Sequence, residues 1–394
     1  MPSGTERAQT PRPGPGRRRA GATPSALTEA TRRVSIAASP ALETFPSADS
    51  HRCRAQPSAD EETVVGAPTI KDVAALAGVS LGTASRVLTG HPSTSARSRE
   101  RVTAAAARLG YTVNARARSL RAARSDVVAL LVPDVRNTFF AQLAHTVQTA
   151  LFARGLSMLI SSASEDAQQQ DRYLRVLLEQ RIDGMILAPQ GDATPGLRTL
   201  VEHQTPLVFV DRAIAELDVP SIDSDPAPGM RSAVEELVAH GHSSVTYIAG
   251  ILGSPTGRER LAAFEQAAAP LLAQGAARVI RADNTGVRWL GELDEHLETG
   301  TTALIFGYSP HTLIAIRHLQ DTGRRIGRDA SIISYDDLEV FNLLLPRLTV
   351  ITQHPARQAA RAVEMLCETI DGGRPASQRV PASLIRRESV TTVR

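Results

Sequence analysis

Cysteine, lysine and tryptophan are nearly absent from this chain. Its two cysteines, Cys53 and Cys367, stand far apart in unrelated contexts. They supply no disulfide framework and no zinc spacing, and so low a count is compatible with a reducing compartment. Lys71 is the only lysine; every other cationic side chain is arginine. Alongside abundant alanine this reads as coding bias, so an arginine is not by itself a sign of forked recognition. Trp289 is the single tryptophan and is expected to pack rather than to serve as a stacking platform. No apolar run reaches the roughly 18 residues of a membrane span, so no membrane partner is expected. No G-x-G-x-x-G follows the first strand-like run, no phosphate loop ending in Gly-Lys-Ser/Thr occurs, and no His/Cys cluster has metal-ligand spacing. His240-Gly-His242 lies between a helical stretch and an apolar run, where a turn is the simpler reading. The chain is therefore expected not to be an enzyme, and to need neither cofactor nor metal.

What is present is a contrast of charge. The 394 residues carry a net +3, with ordinary hydrophobic and charged fractions of 42% and 22%. Residues 1–124 hold 19 Lys+Arg against 9 Asp+Glu, whereas residues 125–394 hold 25 against 32. Within the front part, residues 67–124 hold 10 basic and 2 acidic side chains. A basic module on an acidic body points to a polyanion partner for the module alone.

Residues 1–66 are rich in Pro, Gly, Ser, Ala and Arg with no apolar period, and read as a disordered extension. Arg32-Arg33-Val34-Ser35-Ile36 faintly resembles a twin-arginine export signal, but charges and prolines follow where an apolar core is needed. Residues 69–109 then read as three short helices. Thr69 and Asp72 form a short capping box for the first, which turns Val73, Ala74 and Ala77 inward. Gly78-Val79-Ser80 is a turn whose glycine ends that helix and whose serine caps the next, Leu81–Leu88, with Ala84, Val87 and Leu88 inward. Ser95 caps the third, with Val102, Ala105 and Leu109 on its buried side. Two helices joined by a glycine-containing three-residue turn are the helix-turn-helix plan, whose second helix enters the major groove of DNA. Residues 111–125 are basic and too short for a stable lone helix; they could be a plain linker or could fold only on DNA.

From Ser125 onward, short apolar runs alternate with amphipathic stretches. The runs are Val127–Val132, Met158–Ser161, Met185–Ala188, Leu207–Val210, Val245–Ala249, Ala303–Phe306 and Ser331–Ser334. Helical patterns fill Phe140–Arg154, Gln168–Gln180, Met230–His240, Gly257–Ala273, His311–Asp321 and Ala356–Ile370. Continuous apolar strands between helices imply parallel sheets covered on both faces. In such sheets ligands bind beyond the carboxyl ends of strands, which singles out Pro133–Phe140, Asp211-Arg212, Tyr308-Ser309 and Asp336-Asp337.

Particular residues now resemble a known family. Thr69-Ile-Lys-Asp-Val-Ala-Ala-Leu-Ala-Gly-Val-Ser80, Thr83-Ala-Ser85-Arg86-Val87, Ser98-Arg-Glu-Arg-Val102 and Leu109-Gly-Tyr111 are similar to the start of lactose/galactose-repressor (LacI/GalR) regulators. Val132-Pro-Asp-Val-Arg-Asn137-Thr-Phe-Phe140, Arg181-Ile-Asp-Gly-Met185, Val210-Asp-Arg212, Ser334-Tyr-Asp-Asp337 and Pro346-Arg-Leu-Thr349 continue the resemblance in the family's order. It implies a cytoplasmic, nucleoid-associated bacterial homodimer that represses transcription from double-stranded operator DNA under control of a small effector, a sugar or related metabolite. It also implies an all-α head and an α/β two-lobed sensor like periplasmic binding proteins. The expected parts are a head over 68–113, a hinge over 114–125 and a ligand-binding, dimerising body over 126–392. Within that body, lobe 1 is expected over about 126–222 and 354–378, and lobe 2 over about 223–353 and 379–392. An exported solute-binding protein is the competing reading; the basic head argues against it.

Carried over residue by residue, the resemblance places DNA contacts at Ser80, Leu81, Gly82, Thr83, Ser85 and Arg86 in the head, and at Asn114, Arg118, Leu120 and Arg121 in the hinge. Arg86 can fork to guanine, and Leu120 stands where the family wedges a leucine between base steps. Neither Leu81 nor Gly82 can hydrogen-bond a base edge: Leu81 could touch a thymine methyl, or these positions read little and Arg86 and the hinge carry more. Effector contacts carry over to Asn137, Phe139, Asp211, Arg212, Arg260, Tyr308, Asp336 and Gln353. Tyr308-Ser309 replaces the Asn-Asp common in sugar-binding members, so a pocket is implied more firmly than a sugar.

Overall fold

The computed structural model describes residues 68–111, 124–282 and 287–393. The expected disordered extension and the residues Asn114, Arg118, Leu120 and Arg121 lie outside these. The head is three helices, α1 (Ile70–Ala77), α2 (Leu81–Leu88) and α3 (Ala96–Leu109). The Asp72 carboxylate accepts from the Thr69 amide and from its hydroxyl, each at 2.7 Å. That backbone bond, then the hydroxyl one, hold Asp72 below the usual carboxylate range. Gly78 closes α1 at φ 57°, a left-handed setting that favours glycine. Ser80 Oγ then accepts from the Thr83 amide at 3.1 Å and starts α2. Val73, Ala74, Ala77, Ala84, Val87, Val102, Ala105 and Ala106 form a small core of their own, with Leu88 and Leu109 packed partly buried against it.

The body is two α/β lobes. The first sheet has the order β11-β5-β4-β3-β1-β2, all parallel. Its strands are β1 (Val127–Val132), β2 (Ser157–Ser162), β3 (Gly184–Leu187), β4 (Leu207–Val210), β5 (Ser221–Asp225) and β11 (Gln378–Pro381). The second sheet has the order β12-β10-β9-β8-β6-β7. It comprises β6 (Val245–Ala249), β7 (Ala277–Arg281), β8 (Ala303–Phe306), β9 (Ser331–Tyr335), β10 (Thr349–Thr352) and an antiparallel edge, β12 (Ser383–Ile385). Helices α4 (Thr138–Phe152), α5 (Ala167–Glu179), α6 (Pro195–Glu202) and α11 (Pro355–Ile370) cover the first sheet. Helices α7 (Ala227–Ala239), α8 (Pro255–Ala268), α9 (Trp289–Glu298) and α10 (Ser309–Asp321) cover the second. Each sheet has an apolar cluster on both faces, as buried parallel strands require.

Seven strands and six body helices stand within a few residues of the sequence reading. That reading omits β5, β7, β10, β11, β12, α6 and α9. The lobe boundaries also need correction. β11 pairs in parallel with β5 from Gln378↔Ile222 to Pro381↔Asp225. Residues 223–225 and 379–381 therefore belong to lobe 1, and the crossings fall near 226 and 382 rather than near 222 and 378. The physical reason is that β11 is the sheet's edge strand and β5 its neighbour, and the serines and aspartates of Ser-Ile-Asp-Ser-Asp and the polar residues of Gln-Arg-Val-Pro break the apolar run. The third crossing passes through Gln353 and His354, between β10 and α11. Beside the crossings, Arg379 on lobe 1 bonds Asp223 at 2.8 Å and reaches Glu259 on lobe 2 at 2.6 Å. Among the described residues, no helix is long and apolar enough to cross a membrane.

Candidate ligand cleft and DNA-reading head

The two sheets aim the carboxyl ends of their strands at one cavity. It is lined by Asn137, Phe139, Phe140, Glu165, Asp211, Arg212, Ile251, Ser254, Thr256, Gly257, Arg260, Tyr308, Asp336 and Gln353. All eight effector positions expected from the sequence are among them. The sequence reading missed Glu165 and Ser254. The rule that found Asp211 and Asp336, inspection of the residues just beyond each strand's carboxyl end, finds these two as well when applied to β2 and β6. The free volume is only about 30 Å³, room for a water but far below the several hundred Å³ of ordinary ligand pockets. A ligand of metabolite size would have to part the lobes or swing side chains aside to enter it.

Asp211 follows β4 and Asp336 follows β9, and both adopt left-handed backbone, with φ 64° and 66°. This conformation is costly for most side chains and least so for Asp and Asn. Both residues line the cavity. Burial pushes Asp211 up from 3.8 to about 6, against the pull of Arg212 and Arg260. Burial raises Asp336 too, opposed by the charge of Arg260 and by hydrogen bonds from Gln353 and Ser309. Gln353 Nε2 donates to Asp336 Oδ1 at 2.6 Å. Ser309 Oγ donates to Oδ2 at 3.5 Å.

The guanidiniums are buried as well. Burial alone would lower Arg260, but Tyr335, Asp336 and Asp211 hold it above its ordinary value. It donates to the Gly307 carbonyl at 3.0 Å and lies 4.0 Å over the Tyr335 ring. Arg212 is clasped on two sides. Its Nη1 and Nη2 donate to the two Glu165 oxygens at 2.9 Å each, and Nη1 also donates to Gln190 Oε1 at 3.0 Å. The Asp211–Arg212 ion pair is looser, at 3.5 Å. Asn137 caps α4 through its Oδ1, which accepts from the Phe139 amide at 3.0 Å. Phe139 meets Phe140 edge-on at 5.0 Å. Gly257 allows α8 to start against the wall, since a Cβ there would stand 2.1 Å from the Ile251 carbonyl oxygen. Trp289 is buried in the lobe 2 core away from this lining, beside His311. His242 is held by Thr302 at 2.9 Å and by the Thr391 carbonyl at 3.0 Å, in the turn before β6.

On the head, Leu81, Gly82 and Arg86 are exposed along α2, with Leu81 at 45%. Thr83 Oγ1 lies 2.9 Å from Ser80 Oγ, so its hydroxyl is engaged in the cap. Gly82 is not required by packing: a Cβ there would meet only Ser80 Oγ, at 3.9 Å. Gly82→Ala should therefore stabilise the head by about 1 kcal/mol. If the glycine serves close approach to DNA, the same variant should bind operator more weakly. Thermal unfolding and a binding titration on one preparation check both, and unchanged DNA affinity would leave Gly82 without a role in the groove.

A helix-turn-helix head joined to two α/β lobes that enclose a charged cleft defines a ligand-responsive DNA-binding regulator. Residues 69–114 match the bacterial regulatory proteins of the lacI family, and residues 234–390 match the periplasmic binding protein-like domain. The HTH-type transcriptional repressor PurR of Aliivibrio fischeri (strain MJ11) is 31% identical over 309 residues, covering 77% of this chain and 91% of PurR. Catabolite control protein A of Priestia megaterium is 26% identical, over 77% of this chain and 94% of its own. Among solved structures, the lac repressor dimer bound to operator and the anti-inducer ONPF superposes with a TM-score of 0.73 at 28% identity. That match covers 83% of this chain and 100% of the other. The chain belongs to the LacI family: it is a DNA-binding transcriptional regulator and not an enzyme.

Proposed function

We propose that this regulator is a cytoplasmic homodimeric repressor released from, or secured on, its operator by a small polyhydroxyl metabolite held between the lobes. One observation carries the reading: two left-handed aspartates and Arg212, from strand ends of the two sheets, converge with Arg260 of α8 on one cavity. Carboxylates and guanidinium forks suit pairs of hydroxyls, and Phe139 and Tyr308 offer aromatic surface beside them. A ligand touching both lobes biases their relative orientation. Such coupling is reciprocal, so operator DNA changes ligand affinity by the same factor. A transcriptional regulator complexed with cellobiose, CelR, matches 82% of this chain at 29% identity with a TM-score of 0.60, which supports a saccharide-like effector here.

In this reading the DNA contacts are Ser80, Leu81, Gly82, Thr83, Ser85 and Arg86, with Asn114, Arg118, Leu120 and Arg121 in the hinge. The second copy covers exposed apolar side chains: Phe152 (82% exposed) with Leu159 and Ile160 on the edge strand β2, and Leu343 and Leu345 on lobe 2. Selection of an operator from random DNA, repeated with a metabolite panel, tests the whole reading. Arg86→Ala should flatten base preference at one half-site position by about 1–3 kcal/mol. A selection that returns no pseudo-palindrome, or an Arg86→Ala profile identical to the parent's, counts against it.

A further inference from the structure

The cleft has more acid than base, and the Arg212 Nη fork is already claimed. Three carboxylates, Glu165, Asp211 and Asp336, line it against two guanidiniums, Arg212 and Arg260. Glu165 grips Arg212 through two parallel bonds of 2.9 Å, the strongest geometry open to that pair. Ser164 and Glu165 both have positive φ, 53° and 58°, which marks a turn shaped to deliver this side chain. Arg212 is 7% exposed, whereas Glu165 remains 32% exposed and reachable from the cavity side.

Two of the helix ends at the cleft are capped as well. Asn137 caps α4 and Ser254 caps α8, each with its own side-chain oxygen. The start of α10 lacks a side-chain cap of its own, but Ser309 there already faces the Asp336 carboxylate. An acidic ligand would bring a fourth negative charge into the cleft. To take Arg212 it would have to evict Glu165 and leave that carboxylate unpaired beside Asp211.

We propose that Glu165 is the specificity-determining residue that makes this cleft reject acids, by occupying the Arg212 fork that would otherwise bind a carboxylate or phosphate. The inference rests on the cleft being the effector site, and it narrows the effector to uncharged polyols. Like-charge juxtaposition at a desolvated site is costly enough to exclude an otherwise well-shaped ligand, so the discrimination should exceed about tenfold.

The test compares the full chain with Glu165→Gln and Glu165→Asp by thermal shift and titration calorimetry. Ligands are D-glucose, D-galactose and D-xylose, paired with D-glucuronate, D-galacturonate and D-xylonate at matched ionic strength. The parent and Glu165→Asp, which keeps the charge, should show no specific response to the acids. Glu165→Gln should gain binding of at least one acid by about tenfold or more. Acid binding by the parent equal to that of Glu165→Gln overturns the inference, as does a folded Glu165→Gln that gains none. The neutral sugars form a separate arm. Acid binding gained by Glu165→Gln without any neutral-sugar response supports the role of Glu165 and counts against the polyol reading of the effector.

Discussion

Asp211→Asn is expected to make the protein more stable at pH 7.5, by up to about 3 kcal/mol, while removing its response to effector. Burial lifts the Asp211 carboxyl from 3.8 to about 6, so the folded state holds this proton more tightly than the unfolded chain does. The stability conferred by that proton is complete below about 3.8 and is lost as pH rises through about 6. Asparagine resembles the protonated side chain and tolerates the left-handed φ of 64°. The variant's advantage should therefore be largest above pH 7 and vanish near pH 4. Asp336 is raised in the same direction and remains in the variant, so some pH slope persists. Urea unfolding at pH 4, 6 and 7.5 reads the difference; a variant less stable than the parent at pH 7.5 would show that the buried charge is well compensated. A residue kept at such a cost is in keeping with a site held for function rather than stability.

Arg260→Met is expected to do the opposite, lowering stability at pH 7.5 by about 3–5 kcal/mol. Its guanidinium is buried over the Tyr335 ring and bonds the Gly307 carbonyl, and its charge pulls on both Asp211 and Asp336. Methionine keeps the apolar stem but leaves two buried carboxylates facing one another with less compensation. Their protonation at lower pH relieves that strain, so the deficit should shrink toward pH 5. A loss under about 1 kcal/mol at pH 7.5, or one that is the same at both pH values, would contradict the placement of Arg260 as the cleft's central cation.

The two substitutions also separate what could be read at each level. The apolar runs at Val127–Val132, Leu207–Val210, Val245–Ala249 and Ala303–Phe306 coincide with strands β1, β4, β6 and β8. Buried parallel strands leave a continuous apolar signature that survives without any tertiary information. β11 and β12 leave none, because an edge strand shows one side to water and its pairing partner is distant in the chain. Asp211, Arg212, Tyr308 and Asp336 were legible because each directly follows such a run. Glu165 was harder to see, because β2 is itself a half-exposed edge and the turn that aims Glu165 is not marked by glycine.

By itself, then, the sequence determined the head: its caps, turn and inward alanines and valines are all local, set within about four residues of one another. It also determined which residues stand at strand ends. The tertiary structure alone decided that the ends of two different sheets meet, because lobe membership changes three times along the chain and only strand pairing fixes where. It alone decided that Arg212 is gripped by Glu165, 47 positions away, and pairs only loosely with its neighbour Asp211. An ion pair is chosen by distance and geometry in space, and adjacency in sequence carries little weight against a two-pronged bond.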